Sequence, residues 1–159
     1  MPDMIVNLYD RPASNRISDV AADGVKIKRA LPPDYPQILE FIRKNFDEGW
    51  ASECTYALYR DPPSCFIAAK DGIIVGFACH DATARGFFGP TGVAENMRGK
   101  GIGAALLHRT LDAMQEAGYG YAIIGWVGDA LGFYQKEVGA TSIENWTPEK
   151  SVYSRMYRL

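Results

Sequence analysis

Apolar and polar positions change period several times along the chain, and each change predicts an element. "VKIKRAL" (25–31) alternates, the period-two pattern of a half-buried strand. Tyr35, Ile38, Leu39, Ile42 and Phe46 then recur at helical spacing behind Asp34, a residue type that caps helix N-termini. "WASECTYALYR" (50–60) predicts a second, short helix, stopped by Asp61-Pro62-Pro63. "CFIAA" (65–69) and "IIVGFACH" (73–80) are apolar runs of strand length. The intervening Lys70-Asp71-Gly72 predicts a tight hairpin turn, because Asp-Gly accepts positive φ angles.

"GFFGPTGV" (86–93) reads as a strand spoiled by Gly89, Pro90 and Gly92. Proline cannot donate to a ladder, so this strand must bulge or splay from a neighbour. The next segment is the clearest helix of the chain. Gly103, Leu106, Leu107, Thr110, Met114 and Ala117 form its apolar face, with His108, Arg109, Asp112, Gln115 and Glu116 opposite and Gly118 as its stop. "YAIIGWV" (121–127) predicts a buried strand and "DALGFYQKEVGA" (129–140) a short helix ended by Gly139. "TSIENW" and "VYSRMYRL" predict a closing antiparallel pair around Thr147-Pro148. The order β-α-α-β-β-β-α-β-α-β-β gives an α/β (α+β) fold: a mixed, mostly antiparallel seven-stranded sheet flanked by about four helices. Residues 1–24, with Pro2, Pro12 and Gly24, read as an irregular N-terminal arm in which "IVNL" is at most a short strand; the domain spans 25–159.

The 159 residues suit one domain, and a formal net charge of −2 argues against a general nucleic-acid or membrane-surface binder. No run approaches the roughly 20 apolar residues of a membrane-spanning helix, and the N-terminus lacks the order of a signal peptide. Cys54, Cys65 and Cys79 are odd in number and lack C-x-x-C spacing. They read as buried reduced thiols of a cytoplasmic protein, with neither a disulfide frame nor a metal site.

Candidate chemistry concentrates in "NMRGKGIGAALLHRTL" (96–111). Glycine loses the most backbone freedom on folding, so a glycine run ahead of a helix implies a backbone that must approach something closely. Bare N–H groups and flanking positive charge at a helix N-terminus make that something a phosphate. Walker spacing is absent. Gly99-x-Gly101-x-x-Ala104 fits a dinucleotide fingerprint, yet the chain ends in an antiparallel pair and not in a second βαβ half. A nicotinamide-binding protein stays open as an alternative.

The stretch "GVAENMRGKGIGAALL" (92–107) resembles the acyl-CoA-binding motif of the GNAT superfamily of N-acyltransferases, Arg/Gln-x-x-Gly-x-Gly/Ala, here Arg98-x-x-Gly101-x-Gly103. Tyr134 followed by Gly139-Ala140 resembles that family's Tyr-x-x-x-Gly element, with one extra residue before the glycine and Val127 where an Asn often stands. The element order from 25 to 159 is similar throughout. The resemblance implies the GNAT fold and acetyl-CoA as co-substrate, with no metal. It implies that Arg98, Gly99, Lys100, Gly101, Ile102, Gly103 and Ala104 hold the pyrophosphate, and that Val93 and Ala94 meet the pantetheine arm. The Val93 N–H then faces the thioester oxygen. It makes Tyr134 the general acid for the leaving thiolate, since a phenol near pKa 10 is protonated at neutral pH. The resemblance further implies that a small-molecule or peptide primary amine attacks the thioester directly in a ternary complex; a non-catalytic acyl-CoA binder is the alternative.

The broken strand carries no acid, which leaves Asp81, His80, Glu48, Glu53 and Asp129 as candidate bases. Phe133 is expected in the core. Trp50, Tyr56, Phe87, Phe88, Trp126 and Trp146 are available to wall an acceptor pocket, and the lack of clustered acids argues against a polyamine. Alternation in "SVYSRMYRL" puts Val152, Ser154 and Met156 on one face and Tyr153, Arg155 and Tyr157 on the other, a candidate homodimer contact. No nucleic-acid or membrane partner is expected.

Overall fold

In chain order the computed structural model, which describes residues 2–158, contains β1 (Met4–Asn7), α1 (Arg16–Ala22), β2 (Lys26–Arg29), α2 (Tyr35–Asn45), α3 (Glu48–Leu58), β3 (Cys65–Lys70), β4 (Ile73–His80), β5 (Phe87–Val93), α4 (Ile102–Glu116), β6 (Tyr121–Ile124), α5 (Leu131–Val138) and β7 (Thr141–Ser142). The strands form one sheet in the order β2-β3-β4-β5-β6-β1-β7. Every pair is antiparallel except β5–β6. Asp71 (φ 51°) and Gly72 (φ 75°) take the positive angles that a two-residue hairpin between β3 and β4 requires.

Each sheet face is covered by its own helices. Phe66 and Ala68 of β3 pack with α1, α4 and α5, while Cys65 and Ile67 turn to α2 and α3. With both faces buried, this strand shows no polar alternation in sequence. α3 starts one residue past Asp47, whose carboxylate accepts the Trp50 N–H at 2.8 Å. Among the described residues no helix is long and apolar enough to cross a membrane.

Residues 2–24 are not an irregular arm. β1 lies inside the sheet, between β6 and β7, and buries Met4 and Val6 completely. α1 follows and packs along α4. The sheet has seven strands, but the seventh is this N-terminal one. Residues 152–155 form a 3-10 turn and not a strand. β7 ends at Ser142, Asn145 turns the chain at φ 56°, and Pro148 opens a 3-10 turn without an N–H to give a ladder. The two-faced strand behind the expected dimer contact therefore does not form, and the α-helices number five among the described residues.

The broken strand behaves as its glycines and proline require. β5 pairs with β6 at Phe87–Ile123 and Phe88–Ile124. From there to Val93, β4 is its only described partner. At Gly92 the reason for glycine is a close approach: a Cβ there would lie 2.3 Å from Phe46 Cζ.

Candidate active site

α4 begins without a cap. Its N-cap residue, Gly101, sits at φ 82°, a conformation costly for any residue with a Cβ, and offers no side chain to the helix amides. The first amide to reach back is that of Ala105, which donates to the Gly101 carbonyl at 3.0 Å. The N–H groups of Ile102, Gly103 and Ala104 thus lack helical partners at the positive end of a 15-residue helix. They border a cleft of about 430 Å³. Of the residues singled out in sequence, Val93, Arg98, Gly99, Gly101, Ile102, Gly103 and Ala104 line it. Ala94 and Lys100 do not: the Ala94 N–H is spent on the Val75 carbonyl at 2.9 Å, and Lys100 borders an adjoining hollow with Lys70 and Asp23.

One wall of the cleft is the free edge of β5. In an antiparallel ladder, alternate residues aim both backbone groups at the partner. Ala94 aims its N–H at β4, so Val93, one residue earlier, aims its own away, toward the side that β6 has left. The Val93 carbonyl on that side accepts from Arg98 Nε at 3.1 Å.

α5 supplies the opposite wall and reverses an expectation. Phe133, expected in the core, is 40% exposed and lines the cleft with Lys136 and Glu137. Tyr134 is 7% exposed, lies off the cleft wall, and packs edge-to-face on Phe88 with ring centroids 6.3 Å apart. Consecutive helical residues diverge by about 100°, so Phe133 shares its face with Glu137 while Tyr134 shares the inner face with Val138. Burial pushes the Tyr134 phenol up to about 12. His108, expected on the polar face of α4, is also buried, with Nε2 lying 3.2 Å from Glu137 Oε2.

A second set of groups gathers on the other face of the sheet. Phe87 and Phe88 point to opposite faces; Tyr153 meets Phe87 at 6.5 Å as Tyr134 meets Phe88. Two tyrosines therefore flank the β5–β6 opening from opposite sides. Tyr153 stacks on Trp126 at 4.2 Å. The Trp126 N–H donates to Asp3 Oδ1 at 3.3 Å. Burial, and then the carboxylates of Asp3 and Glu53, raise the Tyr153 phenol far above its ordinary value. Glu53 accepts from the Thr83 hydroxyl, and its carboxyl is raised by burial. Trp50, one turn earlier on α3, packs on Phe46 at 5.0 Å.

The remaining candidate bases are otherwise engaged. Asp81 is buried; His80 Nδ1 lies 2.6 Å from its Oδ2, and the Gly86 amide (2.8 Å) and Tyr119 hydroxyl (2.7 Å) donate to Oδ1. Burial alone would raise this carboxyl, but those contacts hold it at about 2. Glu48 pairs with Arg43 at the surface. Asp129 lies within a 3-10 turn, Gly128–Ala130. Among the aromatic candidates, Phe88 faces α5, and Tyr56 lies exposed under Arg60.

The three cysteines are free and buried, as read. Their sulfurs nevertheless converge, all within 4.8 Å of one another, from α3, β3 and β4. Spacing in sequence does not reveal this, because Cys65 and Cys79 meet across paired strands.

Residues 31–140 match the acetyltransferase (GNAT) family. The fold also matches a GCN5-related glucosamine N-acetyltransferase region in a fungal multi-domain GH3 β-N-acetylglucosaminidase, at 17% identity and a TM-score of 0.73, over 89% of this chain and 19% of that one. A GCN5-related N-acetyltransferase from Sphaerobacter thermophilus matches at 23% identity and a TM-score of 0.68, over 89% of this chain and 48% of that one. A GNAT family acetyltransferase from Brucella melitensis, solved with acetyl-CoA, matches at 19% and 0.55, over 78% and 91%. The chain thus spans about a fifth and about half of the first two proteins. No curated protein matches it. With the family match covering well over half of the chain, and with the split sheet and uncapped helix in place, the protein belongs to the GNAT family of acetyltransferases.

Proposed function

We propose that the protein transfers the acetyl group of acetyl-CoA to a primary amine of a small molecule. The observation that carries this reading is the uncapped N-terminus of α4, opening into a cleft that ends at the unpaired edge of β5. Three orphan amides behind a left-handed glycine suit a diphosphate. The free β5 edge suits a pantetheine arm, which carries amides of its own. The Val93 N–H then faces the thioester oxygen, where a fixed donor stabilises charge as it develops. The amine approaches from the α2–α3 face. Its nitrogen bonds to the thioester carbon, the C–S bond breaks, nitrogen loses a proton and sulfur gains one. Tyr134, which flanks the β5–β6 opening beside Phe88, is our candidate to supply the proton to sulfur, its phenol being protonated at neutral pH.

The amine must be neutral to attack. For an amine near pKa 10.4 that costs about 4–5 kcal/mol at pH 7, so a base is useful. Glu53 is our candidate, acting through water, because burial raises its carboxyl and it stands on the acceptor side. Three free buried thiols accord with a reducing, cytoplasmic setting.

The test is CoA release across a panel of amines, beginning with glucosamine, the amine named for the fungal neighbour. Thiol release with an N-acetylated product by mass supports the proposal. Tight acetyl-CoA binding without turnover on any amine would leave a non-catalytic acyl-CoA binder. Stabilisation by NAD and not by acetyl-CoA would overturn the reading altogether.

A further inference from the structure

We infer that Arg16, on the N-terminal helix α1, is a diphosphate-binding residue that completes the anion site at the start of α4; this rests on the acetyl-CoA reading above. Arg16 lies outside the residues that match the family. It lines the same cleft as Gly99 and Gly101. A Cβ at Gly101 would lie 3.6 Å from Arg16 Nη1, so the glycine loop passes the guanidinium at contact distance. An anion seated on the amides that follow Gly101 is within reach of that nitrogen.

The guanidinium is held in place from its other side. Arg16 Nη2 donates to Glu137 Oε1 at 2.6 Å, and Glu137 is braced in turn by the buried His108. The Arg16 side chain is 42% exposed against 10% for Glu137. A guanidinium has five N–H donors in a planar fork, and Glu137 engages one of its nitrogens. The pairing leaves the other donors of a guanidinium that lines the cleft, and a planar fork of this kind suits two phosphate oxygens. Arg98 lines the same cleft from the loop side, with its Nε drawn to the Val93 carbonyl. The competing explanation is that the pair only pins α1 to α5.

Calorimetry with CoA, dephospho-CoA and S-acetylpantetheine separates these explanations. Arg16→Gln is expected to weaken CoA and dephospho-CoA equally, roughly tenfold or more. S-acetylpantetheine, which lacks the diphosphate, is expected to bind the variant and the parent alike, which also shows that the variant is folded. Arg16→Lys keeps the ion pair but not the fork, and is expected to fall between. Unchanged CoA affinity in Arg16→Gln would overturn the inference and leave a structural pin. A loss with CoA that vanishes with dephospho-CoA would overturn it too, moving the contact to the 3′-phosphate. Failure of the parent protein to bind CoA would instead overturn the acetyl-CoA reading on which the inference rests.

Discussion

Tyr134 carries a hydroxyl with no hydrogen-bond partner among the described residues, inside an aromatic contact with Phe88 and Phe133. Tyr134→Phe therefore removes no internal bond, and the unfolding midpoint is expected to stay within about a degree or two of the parent. If the phenol delivers the proton to sulfur, turnover falls by about 10²-fold, the low end for a positioned acid, because a thiolate leaves fairly well unprotonated. Parent-like turnover in a CoA-release assay would make Tyr134 a packing residue. Asp81 offers the opposite kind of test, where stability and not rate is at stake. Its carboxyl is held at about 2 in the folded chain, against about 3.9 when unfolded. A depressed folded value contributes stability above the unfolded value and loses it as pH falls from about 4 toward 2. Asp81→Asn is expected to cost about 2 kcal/mol at pH 7, with the deficit closing near pH 2. Denaturant melts across that range check it, and a deficit that persists unchanged at pH 2 would show that the carboxylate's charge is not the source.

Elements with strong local grammar were legible in the sequence, and those that depend on distant partners were not. Asp71-Gly72 and the stripe of α4 state their structures within a few residues. Phe133 and Tyr134 sit side by side in sequence, and only the docking of α5 decides which of them faces the cleft. Arg16 was unreadable as a site residue because nothing near it in sequence shows that Gly101 and Glu137 will stand beside it. The glycine loop can itself be dissected at this scale. Gly103 has helical backbone, and a Cβ there would meet only Val93 Cγ2, at an ordinary 3.7 Å. Gly101 is left-handed at φ 82°. Gly103→Val should fold close to normally, with an expected loss of about 0.5–1.5 kcal/mol at most, yet crowd the cleft and weaken acetyl-CoA binding. Gly101→Val should lower stability by about 1–2 kcal/mol or more as well, because a β-branched residue is strained there. Thermal melts beside calorimetry separate the two effects. Unchanged affinity in Gly103→Val would mean that the cofactor does not require a glycine at this position.

At the scale of the whole molecule, the N-terminal segment decides whether the sheet closes. A domain beginning at residue 25 leaves out a strand hydrogen-bonded on both sides: β1 pairs with β6 from Met4 to Asn7 and with β7 at Met4 and Ile5. Four residues, three of them apolar, beside Pro2 and Pro12 are too short a signal to read alone, and the partners of β1 lie more than a hundred residues downstream. Met4, Val6, Leu8 and Val20 are all buried, and each such side chain contributes roughly 1.5–3 kcal/mol. Together these approach the whole stability of an ordinary domain, about 5–15 kcal/mol. Arg11–Asp112 and Arg16–Glu137 add ion pairs from the same segment to α4 and α5. Removing residues 1–24 would leave β6 with an open edge, β7 without a partner, and α4 with an apolar flank in water. The truncated chain is expected to show no cooperative thermal transition and to lose CoA binding, although it keeps every residue of the family match. A truncated chain that melts cooperatively within about 10 °C of the parent would show that the remaining sheet closes without β1, and that the N-terminal segment is an accessory to the fold.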